Sequence, residues 1–255
     1  MAVLIEKKYP IFTVVISNPE VKNAVDIQTA NELANAFREF EKDEKALVAV
    51  LWGSHGNFCS GANLKAITEG IGNRIEKEGD GPMGPSRLTL SKPVIAAVAG
   101  YAVAGGLELA IWCDLRVVER NAIFGVFCRR FGVPLIDGGT VRLPRLIGLS
   151  RALDMILTGR PVTGEEAYSW GLANRMVKIG TSKEEAEKLA REISKFPQIC
   201  MRNDRISTYQ QFGIELNLAM ANEFDLGLKT LESGEYLHGS KQFTNGKGKH
   251  GEFKS

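Results

Sequence analysis

Apolar residues along this chain come either in short unbroken runs or at helical spacing, and the two patterns alternate. Residues 1–8 open with Val3-Leu4-Ile5 and read as a first strand. Ile11–Ser17 is rich in β-branched residues and stops at Asn18-Pro19, which predicts a strand followed by a turn. From Asp26 the spacing changes: Ile27, Ala30, Leu33, Ala34, Phe37 and Phe40 share one helical face, with Asp26 placed to cap it. Ala46–Trp52 is a second buried strand, stopped by Gly53. Strand, helix and strand joined by short links indicate βαβ packing. The strongest apolar run, Pro93–Ala99, leads into Gly100-Tyr101-Ala102-Val103-Ala104-Gly105-Gly106. Beyond the paired glycines, Leu107, Leu109, Ala110, Ile111 and Trp112 predict a buried helix with one carboxylate, Glu108, in its first turn.

Two further strands are predicted over 114–118 and 122–126, then helices over 138–147 and 150–158. From Lys183 the pattern is almost wholly helical, over 183–195, 198–209, 214–232 and 234–243, with a loose tail from Asn245. Residues 70–86 break the periodicity with glycines 70, 72, 79, 81 and 84, Pro82, Pro85 and several charges. They read as a mobile surface loop, either a lid or an insertion. The expectation is an α/β core over 1–195 and a helical segment over 196–255, packed on the core or on a neighbouring subunit.

Composition changes this picture little. The chain has 255 residues, 44% hydrophobic and 24% charged, as in an ordinary globular protein. A formal net charge of +2 makes no case for nucleic acid. The strongest apolar run is cut by Gly100, Gly105 and Gly106, so no membrane span is expected. The first residues lack a charged leader with an apolar core, and a cytoplasmic location is the expectation. Cys59, Cys113, Cys128 and Cys200 are far apart and form no C-x-x-C pair. With His55, His238 and His250 they show no metal-ligand spacing, and they read as reduced thiols in or near the core.

The chemistry concentrates in two glycine-containing turns. Gly105-Gly106 lets a ligand approach backbone N–H groups that lack intrahelical partners, at a helix end that favours negative charge. Such a site suits a phosphate as well as a carbonyl becoming an oxyanion. Gly100-x-x-x-x-Gly105 has P-loop spacing, but Gly106-Leu107 stands where Lys and Ser/Thr belong, and no G-x-G-x-x-G follows a strand. The second turn, Gly53–Lys65, follows its strand as Gly105-Gly106 follows its own. Parallel strands carry sites beyond their carboxyl ends, so the two turns together can aim two N–H donors at one oxygen.

Phe58-Cys59-Ser60-Gly61-Ala62-Asn63-Leu64-Lys65 resembles the F-C-A-G-A-D-L-K signature of the crotonase (enoyl-CoA hydratase/isomerase) superfamily. Lys92–Ala110 with Cys113-Asp114 resembles its second signature. The similarity continues through Gly138-Gly139-Thr140, Arg142-Leu143, Leu157–Arg160 and Gly171-Leu172-Ala173. It implies an α/β fold: a crotonase-like spiral core of repeated ββα turns with a C-terminal helical segment that serves trimerisation and covers the coenzyme A pocket. It also implies homotrimers or hexamers (dimers of trimers), and an acyl-CoA thioester substrate whose coenzyme A is part of the substrate, with no separate cofactor or metal. The thioester oxygen would lie between the N–H groups of Ala62 and Gly105.

Glu108 matches the first of the two glutamates that hydratases of this family use; a plain partner for the helix dipole is its other reading. The second glutamate falls at Cys128, a thiol unsuited to a carboxylate's proton transfer. Asp137 falls where dienoyl-CoA isomerases and naphthoyl-CoA synthases of the family carry an Asp near the acyl group; it is equally an expected helix N-cap. For coenzyme A the resemblance implies contacts from Lys22, Ala62, Asn63, Leu64, Lys65, Gly105 and Phe243, although Gly246, followed by Lys247, replaces the usual lysine after Phe243. His55 reads as structural or exposed. The resemblance thus points to hydration or isomerisation of an enoyl-CoA, as in fatty acid metabolism. Cys128 moves weight toward isomerisation, decarboxylation or C–C cleavage. A crotonase-fold binding protein with little catalysis stays open as a different class.

Overall fold

The structure, a computed structural model, describes residues 2–248. Strands β1 (Val3–Lys8) and β2 (Ile11–Ile16) form an antiparallel pair. From β2 a parallel sheet runs through β3 (Val48–Gly53), β4 (Val94–Val98), β6 (Leu115–Glu119) and β9 (Arg175–Val177). All six residues of β2 and all five of β4 are buried, as expected for parallel strands covered on both faces. Helix α1 (Ile27–Lys42) packs Leu33, Phe37 and Phe40 into the core, and Asp26 caps it by accepting from Thr29 N at 2.8 Å.

At Gly100 the chain leaves β4 with φ +50° and enters β5 (Tyr101–Val103), which belongs to a second sheet. There β5 pairs with β7 (Ile123–Gly125), and β7 with β8 (Val162–Thr163). A bridge between Cys59 and Ala102 joins the stretch after β3 to the same layer. Three successive passes therefore place one strand in the large sheet, then a second stretch against the small sheet (a single bridge in the first pass, β5 and β7 in the next two), and then a helix. The helices are α2 (Leu64–Thr68), α3 (Gly105–Trp112) and α4 (Gly139–Ile147). This is the ββα spiral of the crotonase-like fold, followed by α5 (Leu149–Thr158), α6 (Gly164–Ser169) and α7 (Ser182–Ser194). The elements β8, α6 and β9 had no counterpart in the sequence reading.

Contacts divide the chain between Arg191 and Glu192, inside α7. The second unit contains α8 (Gln198–Gln210), α9 (Leu216–Glu232) and α10 (Glu235–Thr244). Within it, Asn203 Nδ2 joins α8 to Thr230 Oγ1 at 2.9 Å, and the Glu235 carboxylate accepts from Cys200 N at 2.9 Å. Leu216, Leu218 and Phe224 are exposed. Of the tail expected to be loose, residues 245–248 form a hydrogen-bonded turn, and 249–255, with His250, lie outside the described residues. Among the described residues, no helix is long and apolar enough to cross a membrane.

Residues 81–86 correct the expectation of a mobile surface loop over 70–86, whereas residues 75–79 are exposed at the surface. Residues 81–86 are buried, because their backbone groups find partners locally and in the core. Gly81 and Gly84 exchange N–H···O bonds of 3.1 and 2.8 Å, and Asn73 Nδ2 donates to Pro82 O at 2.7 Å.

Candidate active site

The turns after β3 and β4 are fastened to each other. Cys59 N donates to Tyr101 O at 2.8 Å, and Val103 N to Cys59 O at 3.1 Å. At Gly61, where φ is +97°, a Cβ would lie 2.9 Å from Ala104 Cβ and 3.1 Å from Gly105 N, so only glycine permits this approach. Gly61 O accepts from Val25 N at 2.8 Å and Asn63 N donates to Val25 O at 2.9 Å. In such a parallel bridge the intervening residue turns its own N–H away, so the Ala62 N–H faces away from Val25. Ala104, with φ +53° and ψ −125°, is strained by roughly 1–3 kcal/mol as it redirects the chain into α3. Among the described residues neither the Ala62 N–H nor the Gly105 N–H has an acceptor. Both residues line one cavity of about 450 Å³.

All eight residues of α3 are buried, and Glu108 is only 2% exposed. Its Oε1 accepts from Asp137 N at 2.9 Å and from Gly139 N at 2.8 Å. Glu108 is thus the carboxylate that meets the first N–H of α4, at Gly139, and the Asp137 N–H that precedes its cap. The cap of α4 is Gly138, in the left-handed region, with no side-chain cap. This corrects the reading of Asp137 as an N-cap. Its carboxylate turns away and accepts from Met83 N at 3.0 Å and from the Ser86 hydroxyl, both on Oδ1.

Burial pushes the Glu108 carboxyl up to about 7, against the pull of the Gly139 N–H. Burial also raises Asp137 above the usual carboxylate range, opposed mainly by the Ser86 hydroxyl and the Met83 N–H. Cys128, on a short turn of 3₁₀ helix over Phe127–Phe131, is buried beside the cavity. Burial and the nearby Glu108 charge raise its thiol, so it stays protonated and is no base.

The cavity therefore gathers Ala62, Leu64, Gly105, Glu108, Cys128 and Asp137. It does not gather every expected residue. Asn63 caps α2, its Oδ1 accepting from Lys65 N at 3.1 Å and Ala66 N at 3.3 Å. Lys65 is exposed and pairs with Glu69 at 3.9 Å. Lys22 is exposed, with Nζ 5.0 Å from the Tyr101 ring centroid, and its carbonyl accepts from Ser60 N at 3.1 Å. Phe243 is exposed on α10, and His55 is exposed in its turn. Sequence reasoning missed Met83 and Ser86, which reach Asp137 from more than fifty positions away and leave no local signal. Among the described residues there is no group of His, Cys, Asp and Glu that could hold a metal ion.

The sequence model of the family described as Enoyl-CoA hydratase/isomerase matches residues 6–248. The carnitinyl-CoA dehydratase of Salmonella typhi is 38% identical over 189 residues, covering 72% of this chain and 71% of that one. Its counterpart from Proteus mirabilis is 34% identical over 186 residues with the same coverage. The crystal structures of enoyl-CoA hydratases from Mycobacterium marinum and Mycobacterium tuberculosis each superpose with a TM-score of 0.90. Their identities are 30% and 32%, covering 96% of both chains in each case.

Proposed function

The chain belongs to the enoyl-CoA hydratase/isomerase family, and from that premise we propose that it acts on an acyl-CoA thioester through an enolate held by an oxyanion hole. The Ala62 and Gly105 N–H groups receive the thioester oxygen, where the enolate carries its charge; one such donor typically contributes ~3–4 kcal/mol to lowering the barrier. Glu108 and Asp137 exchange protons with the acyl carbons or with water. One observation carries this reading. Each buried carboxylate is tied by two donors through a single oxygen, so Glu108 Oε2 and Asp137 Oδ2 have no protein donor among the described residues. A carboxyl held in this way, and titrating near neutrality as Glu108 does, is suited to give and take protons in both directions.

The reaction is hydration, dehydration or double-bond isomerisation of an enoyl-CoA. Cys128, a protonated thiol where hydratases of the family carry their second glutamate, favours isomerisation or another enolate reaction with Asp137 as partner. Coenzyme A enters as part of the substrate, its phosphates near Lys22 and Lys65. The assembly is a homotrimer or a dimer of trimers, a reading supported by the exposed apolar residues of α9 and tested by sedimentation. Purified protein is assayed with crotonyl-CoA, 3-enoyl-CoA and dienoyl-CoA. Turnover of at least one is expected; no turnover of any, together with no coenzyme A binding by calorimetry, refutes the enzyme.

A further inference from the structure

We propose that Ser86 is a positioning residue that aims Asp137 and holds its carboxylate in the ionised form. The 81–87 segment, remote in sequence from both glycine turns, then sets the proton affinity of the cavity's second carboxylate. The inference rests on the reading of Asp137 as an acid–base group and deepens it.

The geometry is specific. Ser86 is 1% exposed, and its hydroxyl donates to Asp137 Oδ1, the oxygen that also accepts from Met83 N at 3.0 Å. With both donors on Oδ1, the carboxylate plane is fixed and Oδ2 has no protein donor among the described residues. Gly81 leaves the space that the pair occupies: a Cβ there would lie 1.9 Å from Ser86 Oγ and 2.6 Å from Asp137 Oδ1. The backbones that carry the pair share one clamp, because Arg142 donates to Asp137 O at 2.9 Å and to Ser86 O at 2.8 Å. Serine and aspartate are therefore held in register by a guanidinium from α4 as well as by their own bond.

Several charged and titratable groups surround Asp137. Arg87 on the same segment and Arg142 on α4 favour its anion, whereas burial opposes it. Glu108 on α3 repels it, and the protonated Cys128 thiol adds no charge. Ser86 differs from the arginines in touching the carboxylate itself. A hydrogen bond to a charged acceptor shifts its titration by about one pH unit or more.

The test compares wild type with Ser86→Ala and the slightly larger Ser86→Cys, whose S–H is a weak donor. Protein labelled with 13C at the aspartate carboxyl is titrated by NMR, and Asp137→Asn identifies the Asp137 resonance. The expected result is an upward shift of the Asp137 titration by about one pH unit in Ser86→Ala, and by less in Ser86→Cys. In kinetics with the acyl-CoA that turns over, Ser86→Ala should lower kcat about tenfold with KM within about twofold. The acid-side pKa in its kcat/KM profile that disappears in Asp137→Asn should rise. An Asp137 titration that superposes on wild type in both variants overturns the proposal. A wild-type rate in Asp137→Asn defeats the acid–base reading instead, and the NMR titration separates the two failures.

Discussion

The two carboxylates of the cavity are held in contrasting ways. Glu108 projects from a helix buried on every side, whose start is fixed by a strand, a strained Ala104 and paired glycines adjacent in sequence. Among the described residues, its distant hydrogen-bond partners are the N–H groups of Asp137 and Gly139. Asp137 precedes a helix that it does not cap, and it is aimed by an irregular stretch 51 to 54 positions away. A group set by regular secondary structure inherits the rigidity of the core. A group set by an irregular segment depends on each bond that segment makes. Substitutions that keep the hydrogen bonds of either carboxylate should therefore change chemistry while leaving the surroundings intact, whereas loss of one bond from the 81–86 segment should also disturb Asp137.

The largest effect that follows is on turnover. Glu108→Gln keeps an oxygen able to accept from Asp137 N and Gly139 N, so the fold is retained while proton exchange is lost. We expect kcat to fall by about 10²–10⁴-fold, with thermal unfolding at or above the wild-type temperature. A rate within twofold of wild type would leave Glu108 as a helix partner only.

The same buried carboxyl governs stability against pH. Its folded pKa, about 7, lies above its ordinary value of 4.5, so folded chains keep a proton that unfolded chains release between those values. The contribution of Glu108 to stability is therefore fully present below the ordinary value and is lost as pH rises through the folded one, by about 3 kcal/mol in total. Asp137, also raised, acts in the same direction. Urea unfolding across this range should show the decline, and Glu108→Gln should remove most of it. A pH dependence that Glu108→Gln leaves unchanged would contradict the burial assigned to Glu108.

The contrast between the two carboxylates also explains what could be read from the sequence. The strand at 93–99, the turn at Gly105 and the helix bearing Glu108 are local patterns, and Asp26 could be recognised as a cap from its own neighbours. Residues 81–86 could not, because glycines and prolines look alike whether a segment is solvated or buried through distant partners. Asp137 stands where a capping residue would stand. What its carboxylate bonds instead depends on Ser86 and Met83, which no periodicity connects to it. The short β8 and β9 were illegible for a related reason: two or three residues are too few to show a period.

Asp137→Asn sharpens the contrast on its own side. The amide oxygen still accepts from Met83 N and Ser86 Oγ, but the charge and the exchangeable proton are gone. We expect kcat to fall by about 10²-fold or less, with stability changed by no more than about 1 kcal/mol. A loss of stability several times larger would mean that the ionised carboxylate, rather than its geometry, holds the 81–86 segment in place.

The smallest effect tests the regular side at its weakest point. Helix α2 is five residues long, and its start is held by Asn63 Oδ1 accepting from Lys65 N and Ala66 N. It presents Leu64 and Ile67 to the cavity. Asn63→Ala removes the cap and should cost about 1 kcal/mol, a fall in Tm of about 2–4 °C. Asn63→Asp adds a charge favoured at a helix start and should recover or exceed wild-type stability by a few tenths of a kcal/mol. Because α2 borders the cavity but carries no proton donor or acceptor for the reaction, Asn63→Ala should raise KM and leave kcat within about twofold. If kcat falls instead, the cap also fixes the Ala62 N–H one residue before it, and the regular side of the cavity is as sensitive to single bonds as the irregular one.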